Sequence, residues 1–243
     1  MDKPRVAIFD FAGCEGCQLQ IVNMETEILD LLGTIELVEW REGMTEHSDD
    51  YDIAIVEGSI TRPEDEERLR KIRERAPVLI ALGSCAVGGG VNKLKNLLDQ
   101  KEAARVVYGE HADAPHLQGG TVKSLSEVVT VDYNIYGCPI DRVEFTHIVR
   151  SLLLGRQPYV PEYSVCVECK QKGNACQYDS GQICLGPLTR AGCNARCPSY
   201  GFWCYGCRGL MEEPNLEATA LIMNRYGRTV EELEERLSLF GTV

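Results

Sequence analysis

The chain lacks any run of about 18 apolar residues, so no transmembrane helix is expected. Its opening, Met1-Asp-Lys-Pro-Arg-Val-Ala-Ile-Phe-Asp10, does not read as a secretory signal. The apolar run is short, an aspartate interrupts it, and neither a small-residue cleavage pattern nor twin arginines follow. A cytoplasmic protein without direct membrane insertion is expected. Positive charge is also scarce: 25 Lys and Arg stand against 37 Asp and Glu, a net charge of −12. That balance argues against nucleic acid and anionic membrane surfaces as partners. There is no G-x-x-x-x-G-K-[ST] phosphate loop and no G-x-G-x-x-G after a strand. The four histidines (His47, His111, His116, His147) lie outside the cysteine-rich segment, and none is assigned a ligand role. No serine, cysteine or histidine constellation suggests a nucleophile.

What the chain has is cysteine, 12 residues in all. In a secreted protein an even count would suggest disulfides. Without an export signal the thiols stay reduced, and ligation of metals or clusters is the better account.

The first 155 residues alternate short apolar runs with amphipathic stretches. Strands are expected at Arg5–Phe11, Ile35–Trp40, Tyr51–Val56, Val78–Leu82 and Val131–Tyr136. Helical spacing covers Leu19 to Leu32 with Gly33 as a stop, then Pro63 to Ala76 and Asp141 to Leu154. Asn92–Gln100 suits a further helix, and Gly109–Gly120 a surface loop. This order implies an α/β fold, a flavodoxin-like doubly wound parallel sheet. Composition changes near Gly155. Residues 157–210 lose both periodicities and are rich in Gly, Pro and Cys, so metal centres are expected to stand in for a missing apolar core. Helices return at Leu216–Tyr226 and Val230–Leu239, with Thr229 as N-cap. The expected organisation is 1–155 as the flavodoxin-like domain and 156–243 as a cysteine-rich domain with a helical tail.

Cys14, Cys17, Cys85 and Cys138 each lie just past an expected strand, beside glycine. In a doubly wound sheet these loops leave the same carboxyl edge, so the four thiols can converge. Glycines at 13, 16, 83 and 137 let backbone approach a bulky group closely. Flavin at that edge is not expected, because the first loop carries cysteines where a phosphate cradle needs hydroxyls and free amides. Two further sets follow: Cys166-x2-Cys169-x6-Cys176-x7-Cys184 and Cys193-x3-Cys197-x6-Cys204-x2-Cys207. Spacing alone leaves structural zinc open for these, as in a zinc-stapled scaffold. The division of all the thiols into three complete sets of four favours iron–sulfur clusters.

In the order Gly13-Cys-Glu-Gly-Cys17, Glu57-Gly-Ser-Ile60, Gly83-Ser-Cys85, Gly137-Cys-Pro139, Cys184-Leu-Gly-Pro187 with Thr189 and Cys193, and Cys204-Tyr-Gly-Cys207, the chain resembles the small subunit of nickel–iron hydrogenases. The likeness covers nearly its whole length. It is nearest the soluble cytoplasmic branch: the sulfhydrogenase, methyl-viologen-reducing, factor-420-reducing, and NAD(P)-linked or bifurcating groups. The resemblance implies an electron-transfer subunit with three 4Fe–4S clusters. The proximal cluster would be held by Cys14, Cys17, Cys85 and Cys138, the medial by Cys193, Cys197, Cys204 and Cys207, and the distal by Cys166, Cys169, Cys176 and Cys184. It also implies a partner large subunit carrying the nickel–iron site, and an iron–sulfur or flavin subunit as electron acceptor. Glu57 is expected near the proximal set. A complex I-like relay subunit is the nearest alternative, although its first motif has adjacent cysteines and it lacks the cluster-rich tail.

Overall fold

The computed structural model describes residues 3–117 and 119–240. The strands are β1 (Arg5–Asp10), β2 (Glu36–Trp40), β3 (Ile53–Glu57), β4 (Val78–Leu82) and β5 (Tyr133–Ile135). They form one sheet in the order β2-β1-β3-β4-β5, with every pair parallel. This is the doubly wound order of the flavodoxin type.

The helices in chain order are α1 (Gly16–Val22), α2 (Thr26–Leu32), α3 (Pro63–Arg75), α4 (Gly83–Gly88), α5 (Gln100–Tyr108), α6 (Arg142–Leu153), α7 (Val165–Gln171), α8 (Arg196–Ser199), α9 (Leu216–Arg225) and α10 (Val230–Leu237). Alternation along the strands sends Val6, Ile8, Ile55, Ile80 and Leu82 to one face. There they pack with Ile21, Leu31, Phe145 and Ile148 of α1, α2 and α6. Ala7, Ala54, Val56, Leu79 and Ala81 point the other way, against Leu69 and Ile72 of α3. Both faces are covered, which is why the strands read as continuous apolar runs.

Three local expectations change. The stretch from Leu19 to Leu32 is two helices rather than one. The break falls where Glu25 takes a φ of 55° and Met24 turns into the core. The helix expected at 92–100 is a 3-10 turn, Gly90–Leu97, and the α-helix starts later at α5. Asp99 sets that start by accepting from the amides of Lys101 and Glu102 at 2.9 and 3.0 Å. The loop expected at 109–120 holds two short 3-10 turns, and Gln118 within it lies outside the described residues.

The largest revision concerns residues 157–210. Cysteines are not the only thing holding them. Val165, Ile183, Leu185 and Leu188 pack with Met223 of α9 and with Leu233 and Leu237 of α10. The C-terminal helices close over the segment and supply apolar partners that no local pattern could reveal. Thr229 caps α10 as expected, accepting from the amide of Glu232 at 3.3 Å.

Candidate functional site: the cysteine loops

Asp10, Glu57, Leu82 and Ile135 stand in register across four strands, so their chain continuations leave one edge of the sheet. From that edge the fold delivers Cys14 and Cys17 at the start of α1, Cys85 inside α4, and Cys138 just beyond β5. The four thiols lie near one another. Burial, then the neighbouring Cys138 and Cys14, pushes the Cys85 thiol up to about 12. Cys138 is raised by burial and by Cys14. Cys17 is raised by burial and Glu57, with Cys138 contributing.

Glycine makes this packing feasible. Gly83 has a φ of +81°, and a Cβ there would stand 2.3 Å from Cys17 Sγ. At Gly90, φ +59°, a Cβ would stand 2.7 Å from Cys85 Sγ. Gly83→Ala therefore combines left-handed backbone strain with a clash against a thiol. The expected cost is about 2–4 kcal/mol, read as a lower urea midpoint at unchanged slope.

Glu57, 4 % exposed, accepts from the amides of Cys17 and Gln18, both at 3.0 Å. Glu15, the residue before α1, has a φ of 54° and makes no side-chain cap. The carboxylate from β3 replaces that cap and ties the first cysteine loop to the sheet. Glu57 does lie beside the Cys17 and Cys85 thiols, and as an acceptor for the loop's own backbone.

The later thiols repeat this construction. Cys193 and Cys197 flank Asn194 and Ala195, whose φ angles are 56° and 47°. Glu168, on α7 between Cys166 and Cys169, accepts from the amides of Gly192 at 2.8 Å and Ala195 at 2.9 Å. A carboxylate from one cysteine set thus holds the loop of the next. Sequence reasoning missed Glu168, since a glutamate inside C-x2-C shows nothing of what it reaches. It also missed Arg208, which is 1 % exposed and paired with Glu144 of α6. Burial works against the Arg208 charge, but the hydrogen bonds and charge of Glu144 win and hold its pKa above the ordinary arginine value.

Cys166 is pushed up to about 12 by burial, then by Cys184, Cys169 and Cys176. Cys207 is pushed up to about 12 by burial, against a hydrogen bond from the Cys138 backbone, and feels Cys193, Cys138 and Cys197. Cys204 is raised by burial and feels both Cys184 and Cys207. The sulfurs therefore form a continuous run. It leads from Cys138 to Cys207 with Cys193 and Cys197, and through Cys204 and Cys184 to Cys166, Cys169 and Cys176.

The Cys204 amide donates to Cys184 Sγ at 3.2 Å, and the backbone at Ile140 and Cys138 works against burial to lower the Cys17 and Cys207 thiols. Thiols with backbone amides and glycine beside them suit an iron–sulfur cluster, whose sulfurs accept such bonds. Among the described residues no three His, Cys, Asp or Glu side chains are drawn together tightly enough for a single metal ion.

In the cluster-free chain the raised thiols make a pH prediction. Protonated thiols favour the folded state, so their contribution is complete below the ordinary value of 9.0 and is lost as pH climbs towards 12. The cluster-free chain should lose urea resistance on moving from neutral to strongly alkaline pH.

Residues 14–152 match the family of the NADH ubiquinone oxidoreductase 20 Kd subunit. A chain named sulfhydrogenase 2 subunit delta, from Pyrococcus furiosus, is 38 % identical over 207 residues, covering 84 % of this chain and 86 % of the relative. The chain belongs to this family, among its hydrogenase small subunits. A second relative, a subunit of the F420-non-reducing hydrogenase vhu of Methanocaldococcus jannaschii, is 30 % identical over 276 residues and covers 98 % of this chain and 93 % of its own. Among solved structures, an NAD+-reducing [NiFe]-hydrogenase in the H2-reduced state aligns with a TM-score of 0.60 and 29 % identity, over 66 % of this chain and 96 % of that one. This kinship, spanning the cysteine-rich part, leaves the zinc-stapled scaffold without support. Among the described residues no helix of this hydrogenase subunit is long and apolar enough to cross a membrane.

Proposed function

We propose that the chain is the three-cluster relay of a cytoplasmic nickel–iron hydrogenase, linking the nickel–iron site of a large subunit to an acceptor module. The observation that carries this reading is the unbroken run of thiols from the sheet edge to α7. The proposed proximal 4Fe–4S ligands are Cys14, Cys17, Cys85 and Cys138. The medial ligands are Cys193, Cys197, Cys204 and Cys207, and the distal ligands Cys166, Cys169, Cys176 and Cys184. Bound there, the clusters supply one-electron redox chemistry.

The chain's own residues hold and tune those positions. Glu57 and Glu168 anchor the two strained loops, backbone amides bond the sulfurs, and burial keeps water from Cys17, Cys184 and Cys204. A division at residue 155 is part of the proposal, with residues 1–155 carrying the proximal ligands and 156–243 the other two sets. Leu19 and Val22, 56 % and 48 % exposed on α1, the helix that follows Cys14 in the chain, support a large-subunit interface on that face. The acceptor is an iron–sulfur or flavin subunit.

Anaerobic purification with a tagged large subunit tests this. The expected result is about 12 iron per small subunit, with matching acid-labile sulfide, and copurification of an acceptor subunit. Abundant zinc with little iron would overturn it.

A further inference from the structure

Among the described residues, Arg208 is the largest side chain to be almost wholly buried. Its Nη1 and Nη2 donate to Glu144 Oε2 and Oε1 at 2.7 and 2.6 Å. Nη1 also donates to the carbonyl of Tyr136 at 2.9 Å, and Nε to those of Ala191 at 2.9 Å and Arg190 at 3.2 Å. These partners are not scattered. Tyr136 lies two residues before Cys138, Ala191 two before Cys193, and Arg208 directly follows Cys207. The guanidinium therefore sits where the proximal and medial thiol sets meet.

Room has been kept for it. Gly192, next to Cys193, has a φ of +116°, and a Cβ there would fall 2.3 Å from Arg208 Nη2 and 2.7 Å from Glu144 Oε1. A buried ion pair is weak evidence for added stability, because desolvation offsets the attraction. At this junction its two charges lie beside cysteine loops of both sets.

We propose that Arg208 and Glu144 are positioning residues that set the reduction potential of the medial centre with opposed fixed charges. This rests on the assignment of Cys193, Cys197, Cys204 and Cys207 to one cluster. Reduction adds negative charge to that cluster. A guanidinium buried beside its ligands favours the reduced form, a buried carboxylate disfavours it, and low dielectric makes both effects large. With both present the two influences partly cancel. Removing either exposes the other.

The test is an EPR-monitored redox titration of the anaerobically purified hydrogenase complex. Arg208→Met should lower the medial midpoint potential and Glu144→Gln should raise it. Each shift should amount to at least a tenfold change in the oxidised-to-reduced ratio, about 59 mV for one electron. The double variant should return close to the unmodified value. A purely structural role would move both single variants the same way, or not at all, and either result overturns the inference.

Should Arg208→Met fail to assemble, Glu144→Gln alone decides, since it keeps the shape of the pair: a rise supports the inference, and a fall or no change overturns it. Iron content and the medial EPR signal of the unmodified complex are measured first. If they show no medial cluster, the ligand assignment fails and takes this inference with it; if they show one, the variants test the charge pair alone.

Discussion

Replacing Cys85 with serine is expected to stop hydrogen-dependent dye reduction by the assembled enzyme while leaving about eight of about twelve irons in place. Three features concentrate this effect on one residue. Cys85 comes from β4 through α4, so no neighbouring thiol of its own loop can replace it. It lies against Cys14 and Cys138, close enough for both to raise its pKa. A Cβ at Gly90 would stand 2.7 Å from its sulfur, so the chain passes close to this thiol. Loss of an outer-shell partner at a metal site typically costs 10–100-fold. Loss of a ligand from the proposed proximal cluster should exceed about 100-fold. The cysteine-rich segment has an apolar core of its own, which is why the remaining iron should stay. Iron analysis and EPR of the reduced complex check both halves. Full activity in this variant would remove Cys85 from the ligand set.

Glu57→Ala should produce the second-largest change, about 3–5 kcal/mol of lost stability. The substitution deletes a carboxylate that is 4 % exposed and leaves the amides of Cys17 and Gln18 buried without an acceptor. Glu15, already left-handed, then loses what holds the loop in that conformation. Glu57→Gln should fall between wild type and alanine. Its single carbonyl can satisfy one amide, but its NH2 group would face the other donor to donor. Urea unfolding of the cluster-free chain gives the order, and proximal iron occupancy in the complex should follow it. Equal stability of all three proteins would show that the carboxylate does not hold the loop.

Much of this was legible in the chain itself. Strand runs such as Val78–Leu82, buried on both faces, and the turn-rich loops after them suffice for a parallel sheet with cysteines along one edge. Glu57, at the end of Tyr51–Val56, was expected near the first thiol set through the resemblance and not through the strand pattern. The break at Met24 was not legible, because helical spacing continues through it and only the packing of Met24 decides the turn. Nor was α7, a seven-residue helix with two of its positions given to cysteine, although Ser164 just before Val165 is a usable start signal. Glu168, Glu144 and Arg208 left no trace, since their partners lie 17 to 72 residues away in the chain.

By itself the sequence determined the kind of sheet and the edge from which the first thiols emerge, because these depend on periodicity and short separations. Tertiary structure alone decided that the cysteine-rich segment has an apolar core, that two carboxylates hold the strained loops, and that a buried charge pair joins the thiol sets. The physical reason is that burial and charge pairing depend on which distant segments meet, and a local pattern carries no record of that.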